Sequence, residues 1–375
     1  MRRPRLDRLP AGLLGSLALV MAIERGVTNH EGALAPPWTT DWRHAGGAAR
    51  REAPRAEVLC LGDSLVKFAV LPRAIEGRSG RRAYNLAVHN GQAPATYFLL
   101  RRALDAGARP AAVLVDFAPH LLTGGPYANL RQWGELVEPG ECLDLARTAR
   151  DADLFALITA ARLLPSYAAR FEIRGAVLGA LAGRSTSQSA VTDAYRRNWR
   201  RNLGALAMPG NPASRADTPF GGDLVDAARP FDPVNLAYIR RLLDLTAARR
   251  IPVYWLLPPP NPSVQAIRDR NGSDDRYLAL IRRLGATHPG LTVLDARHSG
   301  YDHSLHFDPV HLDHRGAAAL SRSIADALAT PPDLHPAPGP RVVDLLAYRD
   351  RPGGVPIEDL TQSTLAIRGS AAVRR

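Results

Sequence analysis

Three polar residues of this sequence, one near its start and two close together near its end, have the types needed for nucleophilic attack on a carbonyl group. Ser64 follows Gly62 and Asp63, and Asp308 precedes His311 with two residues between them. This spacing lets one short turn present the carboxylate and the imidazole side by side. The imidazole can then take the proton of a serine hydroxyl while the carboxylate orients the ring. These residues predict a Ser-His-Asp site if the fold brings them together.

The elements that would position these residues alternate between short apolar runs and amphipathic stretches. The apolar runs predict strands at 57–62, 82–87, 111–116, 251–257 and 291–295. Helices are predicted at 65–77, 93–107, 233–249, 274–286 and 314–329. This alternation is typical of an α/β fold in which a parallel sheet carries helices on both faces. Ser64 would then lie where the first strand meets a helix, at the edge where such sheets place their sites. Helix N-terminal amides at that edge can stabilise an oxyanion.

A long segment without strand signals interrupts the alternation. Residues 123–230 contain helical stretches, and they are interpreted as a helical insertion between the two halves of the α/β domain, 55–122 and 231–330. Insertions of this length often cover an active site. Residues 331–375 are rich in proline and glycine, and they are predicted to form a mobile or loosely packed tail.

The N-terminal segment, 1–54, has the pattern of a membrane-proximal region. Several arginines precede an uncharged run at 9–23, as in a signal peptide or a signal anchor. The run is shorter than the roughly 20 residues of a full membrane span, and an ordinary amphipathic helix stays open as the alternative. Arginines before the run predict that the catalytic part lies outside the cytoplasm. Residues 28–54 lack a period and are interpreted as a linker that packs partly on the domain.

The composition is that of an ordinary globular protein, and it excludes several classes. The 375 residues carry a net charge of +12, which invites a nucleic-acid interpretation. However, Lys67 is the single lysine among 48 basic residues, and the arginines are scattered along the chain without a clustered basic arm. We therefore predict no nucleic-acid partner. Two cysteines, Cys60 and Cys142, are too few for a disulfide scaffold or a cysteine-rich zinc module.

Three motifs, in this order, resemble those of the SGNH/GDSL hydrolases. They are Gly62-Asp63-Ser64, the loop 85–91 after the second strand, and Asp308-x-x-His311. The resemblance covers about residues 55–120 and 231–330, and it implies a flavodoxin-like three-layer α/β/α fold. It also implies a serine esterase, a lipase, a carbohydrate acetylesterase or an O-acyltransferase, and such enzymes need no cofactor.

The same resemblance assigns a role to each site residue. Ser64 would be the nucleophile, His311 the base and Asp308 its orienting partner. The backbone amides of Ser64 and of Gly91, or of its neighbour Asn90, would bind the oxyanion. The implied substrate is an ester or an acylated carbohydrate.

One block of the family pattern is missing from this chain. The family usually carries an asparagine after the third strand as an oxyanion donor, whereas this chain runs from Asp116 to His120 without one. Losing one such donor costs about 3 kcal/mol of transition-state stabilisation unless another group, such as Asn90 or His120, replaces it. Divergent members tied to the acetylation of bacterial cell-surface polysaccharides also lack the standard block, and they often carry an N-terminal membrane segment.

The resemblance therefore implies an esterase, with two alternatives. One is an O-acyltransferase that acts on a cell-surface polysaccharide with a membrane acyl-donor partner. The other is a catalytically inactive glycan-binding or assembly protein on the same fold.

Further polar residues fall near the predicted site. Possible substrate contacts are Asp63, Lys67, Asp116, His120 and Asn261. Lys67 is expected at the rim, and Ser64-x-x-Lys67 also begins a penicillin-binding-protein signature whose Lys-Thr-Gly and Ser-Asp-Asn partners are absent from the sequence. The histidines and aspartates of 303–314 lack the spacing of a usual zinc motif, so no metal is predicted.

Overall fold

A single parallel sheet forms the centre of the computed structural model, which describes residues 11–34, 40–183, 189–211, 229–329, 339–349 and 355–372. Its six strands run in the order β2-β1-β3-β4-β5-β6. They are β1 (Val58–Leu61), β2 (Ala83–Asn85), β3 (Ala112–Val115), β4 (Val253–Leu257), β5 (Leu291–Asp295) and β6 (Arg341–Asp344). The predicted α/β fold with a flavodoxin-like strand order is confirmed.

Side chains of the strands alternate between two apolar layers, because successive residues of a strand point to opposite faces. Leu59 and Trp255 belong to one layer, and Cys60 and Leu256 belong to the other. The first layer is covered by α2 (Asp41–Arg51), α5 (Ala93–Asp105), α13 (Pro233–Ala248) and α15 (Ser273–Gly285). The second is covered by α3 (Ser64–Ala69), α4 (Pro72–Ser79) and α16 (His314–Ala329).

Between β3 and β4, the described part of the predicted insertion contains helices and no strand. The helices between β3 and β4 are α6 (Pro119–Thr123), α7 (Leu130–Leu136), α8 (Pro139–Ala149), α9 (Ala152–Leu163), α10 (Pro165–Ala168), α11 (Arg170–Leu181) and α12 (Ser189–Arg201). A further helix, α14 (Pro262–Asn271), follows β4. Trp133 of α7 packs edge-to-face on Trp42 of α2, with ring centroids 4.8 Å apart. Arg102 of α5 and Glu141 of α8 form a buried ion pair at 2.6 Å. The insertion is therefore anchored to the α/β domain by both apolar and charged contacts.

The prediction of a linker at 28–54 is wrong for most of its described part. Residues 41–51 form α2, a helix of the domain itself, and Trp42 is fully buried. The helix buries Trp42, Ala45 and Ala49, which are spaced three and four residues apart as on one helix face. Two glycines and a run of alanines weaken that apolar signal in the sequence.

The prediction of a loosely packed tail is also wrong for its described part. Residues 341–344 form β6, which pairs in parallel with β5, and α17 (Leu360–Ala372) packs on α12. Asn198 of α12 donates to the Glu358 carbonyl at 2.8 Å and lies 3.3 Å from the Ser363 hydroxyl. β6 lies at the edge of the sheet, where only one face of a strand needs to be covered. Its sequence therefore lacks the continuous apolar run by which the inner strands are predicted.

The N-terminal apolar run lies in one long helix, α1 (Ala11–Leu34). Several large apolar side chains of this helix are exposed, and they include Leu13, Leu17, Leu19, Met21 and Ile23. Its Glu24 accepts a hydrogen bond from the Ser166 amide at 2.8 Å, which connects α1 to the insertion. Among the described residues, no helix is long and apolar enough to cross a membrane. The preceding arginines, within 1–10, lie outside the described residues.

Candidate active site

Ser64, His311 and Asp308 form one hydrogen-bonded chain at the carboxyl edge of the sheet. Nε2 of His311 lies 2.8 Å from Oγ of Ser64, and its Nδ1 lies 2.7 Å from Oδ2 of Asp308. An ionised carboxylate oxygen can only accept, so Nδ1 carries the ring proton and Nε2 faces the serine hydroxyl as an acceptor. This is the arrangement that general-base activation of a serine requires.

A tight strand-to-helix turn presents Ser64. β1 ends at Leu61, Gly62 adopts a φ of +137°, and α3 begins at Ser64. A Cβ atom on residue 62 would lie 2.5 Å from the carbonyl oxygen of Asp116. Glycine is therefore required here, both for the positive φ and for the close approach of the β1 and β3 exits. The Ser64 side chain is 9% exposed, at the end of this turn.

Asp63 holds that turn in place. Its Oδ1 accepts from the Leu65 amide at 2.7 Å, which caps α3, and its Oδ2 accepts from the Ala118 amide at 2.8 Å. The side chain is fully buried. Both of its oxygens already accept from backbone donors. Asp63 therefore positions the turn, and it does not contact substrate as predicted.

The turn that carries His311 is folded by Asp308 itself. Oδ1 of Asp308 accepts from the amides of Val310 and His311, at 2.9 and 2.8 Å, while Oδ2 faces the imidazole. The Phe307 amide donates to the His311 carbonyl at 2.8 Å. The three-residue spacing therefore serves two purposes, because one carboxylate both closes the turn and orients the ring.

Asn261 connects this turn to the exit of β4. Its backbone amide donates to the Pro309 carbonyl at 3.3 Å, and its side-chain oxygen caps α14 through the Ser263 amide at 3.1 Å. Only 2% of Asn261 is exposed. His306 is fully buried nearby, with its ring nitrogens against the carbonyls of Asp302 and Pro259. Asn261 thus has a positioning role in place of the predicted substrate contact.

The electrostatics around His311 keep Asp308 ionised. Burial alone would raise the pKa of Asp308, but the hydrogen bond and charge of His311 and two backbone amides outweigh it and hold that pKa below its usual value. The ring of Phe68 packs edge-to-face on His311, with centroids 4.7 Å apart. The imidazole is therefore held by a carboxylate at one nitrogen and by an aromatic ring at its side.

The oxyanion donors differ in part from those predicted. The Gly91 amide donates to the Val88 carbonyl at 3.0 Å, so it is not available in this arrangement, and the prediction for Gly91 is wrong here. The amides of Ser64 and Asn90 have no acceptor among the described residues. Asn90 has a φ of +53°, and Asn129 donates to its carbonyl at 3.0 Å, which fixes this peptide. Ser64 and Asn90 are thus the predicted donors that stay available.

Asp116 lies buried behind the turn and does not face substrate as predicted. Burial and then the charge of Asp63 raise the pKa of Asp116 well above its usual range. Burial raises the pKa of Asp63 to about 6, against the two backbone hydrogen bonds that it accepts. The nearby Asp63 carboxylate therefore disfavours the ionised form of Asp116.

His120 is half-buried and follows β3, where the asparagine of the family pattern is absent. Burial, with the charges of Arg268 and His311, lowers the pKa of His120 to about 4, so the ring is neutral at neutral pH and carries one N–H donor. Neither ring nitrogen has a hydrogen-bond partner among the described residues. His120 therefore stays a candidate replacement for the absent asparagine.

Lys67 is not at the rim, so that prediction is wrong. Its side chain is fully buried, and its ammonium group pairs with Asp41 of α2 and donates to the Ala87 carbonyl at 3.0 Å. The second oxygen of Asp41 accepts from the His89 amide at 2.9 Å. The single lysine thus fastens α2 and the loop after β2 to α3, the helix that begins at Ser64.

A small pocket lined by His89 was not predicted. It lies between α2, the loop after β2 and α12, and its walls include His44, His89, Tyr195, Arg196 and Trp199. His89 falls in the loop 85–91, whereas the other four residues belong to no motif and come from distant segments, so no local pattern in the sequence indicates the pocket.

Comparison with known proteins does not identify this site. No protein-family profile matches the chain, and no curated protein matches it. Among the described residues, no group of three or more histidine, cysteine, aspartate or glutamate side chains is arranged to hold a metal ion.

Proposed function

We propose that this chain is a serine esterase of the SGNH type that acts through an acyl-serine intermediate. The observation that carries the proposal is the continuous hydrogen-bonded chain from Ser64 Oγ through His311 to Asp308, at 2.8 and 2.7 Å. Ser64 is 247 residues away from His311 in the sequence, yet its hydroxyl meets the imidazole at the start of α3.

The reaction has two halves. Oγ of Ser64 attacks the ester carbonyl while Nε2 of His311 takes the hydroxyl proton, and the amides of Ser64 and Asn90 bind the oxyanion. The tetrahedral intermediate collapses, the C–O bond to the alcohol breaks, and His311 returns the proton to the leaving oxygen. Water then attacks the acyl-serine, with the same histidine as base, and releases the acid.

A sugar hydroxyl in place of water gives the second candidate, an O-acyltransferase on polysaccharide. The observation in its favour is a small pocket lined by His89, whose ring packs on the same Phe68 ring that contacts His311, since a transferase must hold an acceptor near that histidine. The donor for this reaction would be an acyl group supplied by a membrane partner.

The test is to trap the intermediate. The full-length protein is mixed with p-nitrophenyl acetate and quenched during the first turnover, and peptide masses then show where an acetyl group resides. We expect acetyl on the peptide that contains Ser64, and no label in Ser64→Ala. Added oligosaccharide separates the two candidates, because an acetylated sugar indicates transfer and free acetate alone indicates hydrolysis. An unlabelled wild-type protein would favour the inactive glycan-binding alternative.

We also propose that α1 attaches the chain to a membrane, with the catalytic domain outside the cytoplasm. Large apolar side chains of α1 are exposed, for example Leu17 at 58% and Met21 at 64%, and such a surface is typical of lipid contact. In flotation with phosphatidylglycerol vesicles, the full chain is expected to float with the lipid. The double variant Leu17→Asp and Met21→Asp should stay at the bottom of the gradient. Equal flotation of both proteins would reject a lipid-binding role for α1.

A further inference from the structure

Two consecutive residues of α2 hold the backbone of His89 from both sides. Oδ2 of Asp41 accepts a hydrogen bond from the His89 amide at 2.9 Å, and Nε1 of Trp42 donates to the His89 carbonyl at 2.8 Å. Asp41 and Trp42 are both buried, and Trp42 is fully so. The start of α2 therefore fixes the two peptide groups that flank His89, in the loop after β2.

The contact from Trp42 acts on the peptide group that carries an oxyanion donor. The carbonyl of His89 and the amide of Asn90 belong to the same peptide group, which is planar and trans. In a trans peptide the C=O and N–H bonds point in opposite directions. Because the indole N–H holds the carbonyl, the N–H of Asn90 points away from Trp42 in a fixed plane.

The other backbone groups of this loop segment already have partners. The Val88 amide donates to the Gly62 carbonyl at 3.1 Å, and the Gly91 amide donates to the Val88 carbonyl at 3.0 Å. The Asn129 side chain donates to the Asn90 carbonyl at 3.0 Å. With the two contacts from α2, every backbone N–H and C=O from the Val88 amide to the Gly91 amide has a partner among the described residues, except the Asn90 N–H. The loop therefore keeps one donor in a fixed place and leaves it free for a ligand.

The same loop is joined to the turn that presents Ser64. The Gly62 carbonyl that accepts from the Val88 amide lies two residues before Ser64, and a Cβ on residue 91 would lie 2.6 Å from the same carbonyl oxygen. Lys67 of α3 adds a buried link, because it pairs with Asp41 and donates to the carbonyl of residue 87 at 3.0 Å. α2, the loop and the helix that begins at Ser64 therefore form one buried polar network, and such networks rigidify what they connect when their members are satisfied.

We propose that Trp42, supported by Asp41, is a positioning residue that orients the Asn90 amide as an oxyanion donor beside the amide of Ser64. The inference rests on the proposed acyl-serine chemistry, and it gives a part in that chemistry to α2, which lies outside every motif of the sequence. Trp42 acts through the peptide group between His89 and Asn90 and does not touch the substrate.

Loss of the indole N–H should therefore affect the transition state more than substrate binding. Without that contact the peptide group can rotate, and the oxyanion loses an aligned donor. The negative charge on the oxygen develops as the serine attacks, so a donor aimed at it raises the rate and leaves KM nearly unchanged. A residue that merely stabilised the fold would not produce this separation between rate and KM.

The test compares two buried tryptophans of the full-length protein. In Trp42→Phe the indole N–H is lost while an aromatic ring stays. The rate of acetyl-serine formation from p-nitrophenyl acetate should fall at least about tenfold, as part of the roughly 10²- to 10³-fold that a lost oxyanion donor costs, with KM within about twofold. Trp133→Phe is the matched control, because Trp133 is equally buried, packs on Trp42 and donates to the Pro126 carbonyl at 2.8 Å, outside the loop.

A second pair of variants removes the N–H without leaving a cavity in the core. In these variants 3-benzothienylalanine replaces Trp42 or Trp133, so that a sulfur atom stands where the indole N–H was. The same contrast in rate is expected. A trifluoromethyl ketone, whose adduct with Ser64 carries a negative oxygen at the oxyanion position, should bind at least about tenfold more weakly to the variant at position 42 than to the variant at 133.

The benzothienylalanine pair decides between the outcomes. A rate at least about tenfold lower for the replacement of Trp42 than for that of Trp133, with KM unchanged, supports the inference. A smaller difference, or an equal loss in rate and in KM, would overturn the inference while the acyl-serine chemistry stands. A wild-type protein that forms no acetyl-serine would reject the proposed function, and the positioning role of Trp42 with it.

Discussion

Ser64→Ala is expected to lower the turnover of p-nitrophenyl acetate by about 10⁴- to 10⁶-fold, the range found when a serine nucleophile is removed from an acyl-transfer site. In the proposed mechanism this hydroxyl forms the covalent bond, and its described hydrogen-bond partner is His311. The amides that bind the oxyanion would remain, so some rate above the uncatalysed reaction should persist. Initial rates of nitrophenol release, measured over a wide range of enzyme concentration, check this expectation.

Ser304→Ala provides the matched control for this experiment. Ser304 is exposed, and it lies in the chain segment that leads to His311. Its hydroxyl does not contact His311 among the recorded hydrogen bonds. Its loss should leave the rate within about twofold, since surface substitutions are usually mild. Thermal unfolding of both variants should match the wild-type protein, because a serine-to-alanine change at a helix start removes little packing. Turnover by Ser64→Ala within tenfold of the wild type would reject Ser64 as the nucleophile.

The Ser64-His311-Asp308 trio could be predicted because each part of it is encoded locally. Asp308 and His311 are joined by a turn that the aspartate itself closes, so four consecutive residues determine that half of the site. Ser64 follows an apolar run and precedes a helix, which places it at the carboxyl edge of a parallel sheet. The meeting of the two halves then follows from strand order alone, because both turns lie at the same edge.

The surroundings of the trio could not be predicted, because they depend on contacts between distant segments. Lys67 was expected at the rim, since a charged residue in a short helix is usually exposed. Its burial depends on Asp41, which is 26 residues away in a helix with a weak apolar signal. Likewise, Arg196 and Trp199 lie beside His89 of the loop after β2 on a helix, α12, that packs on α17. No periodicity or motif indicates such long-range contacts.

The wrong prediction that the Gly91 amide binds the oxyanion also results from a contact that the sequence does not show. A glycine after the second strand resembles the family's donor, yet whether its amide is free depends on the local turn. Here the loop closes with a hydrogen bond from the Gly91 amide to Val88, and a Cβ on residue 91 would lie 2.6 Å from the Gly62 carbonyl oxygen. The glycine is therefore explained by close packing against the nucleophile turn, and the neighbouring Asn90 amide is the one left available.

Asp308→Asn is expected to lower kcat by about 10⁴-fold, through the tautomer of His311 and with little change in structure. Oδ1 of Asp308 accepts from the amides of Val310 and His311, and an oxygen must stay at that position to satisfy both donors. The amide nitrogen of the substituted side chain must therefore face Nδ1 of the imidazole. A donor at that point forces Nδ1 to accept, so the ring proton moves to Nε2 and points at the Ser64 hydroxyl. The ring then cannot take the serine proton.

This prediction separates orientation by a carboxylate from simple packing. Asp302→Asn is the control, because Asp302 lies in the same segment and caps a short helical turn through the Ser304 amide at 2.7 Å, away from the imidazole. The rate of acetyl-serine formation in a single turnover should fall in Asp308→Asn and stay near the wild-type value in Asp302→Asn. Proton NMR should find the ring N–H of His311 on Nδ1 in the wild type and on Nε2 in Asp308→Asn. If the variant kept both the wild-type tautomer and the wild-type rate, the carboxylate would have no orienting role, and the catalytic assignment would reduce to Ser64 and His311 alone.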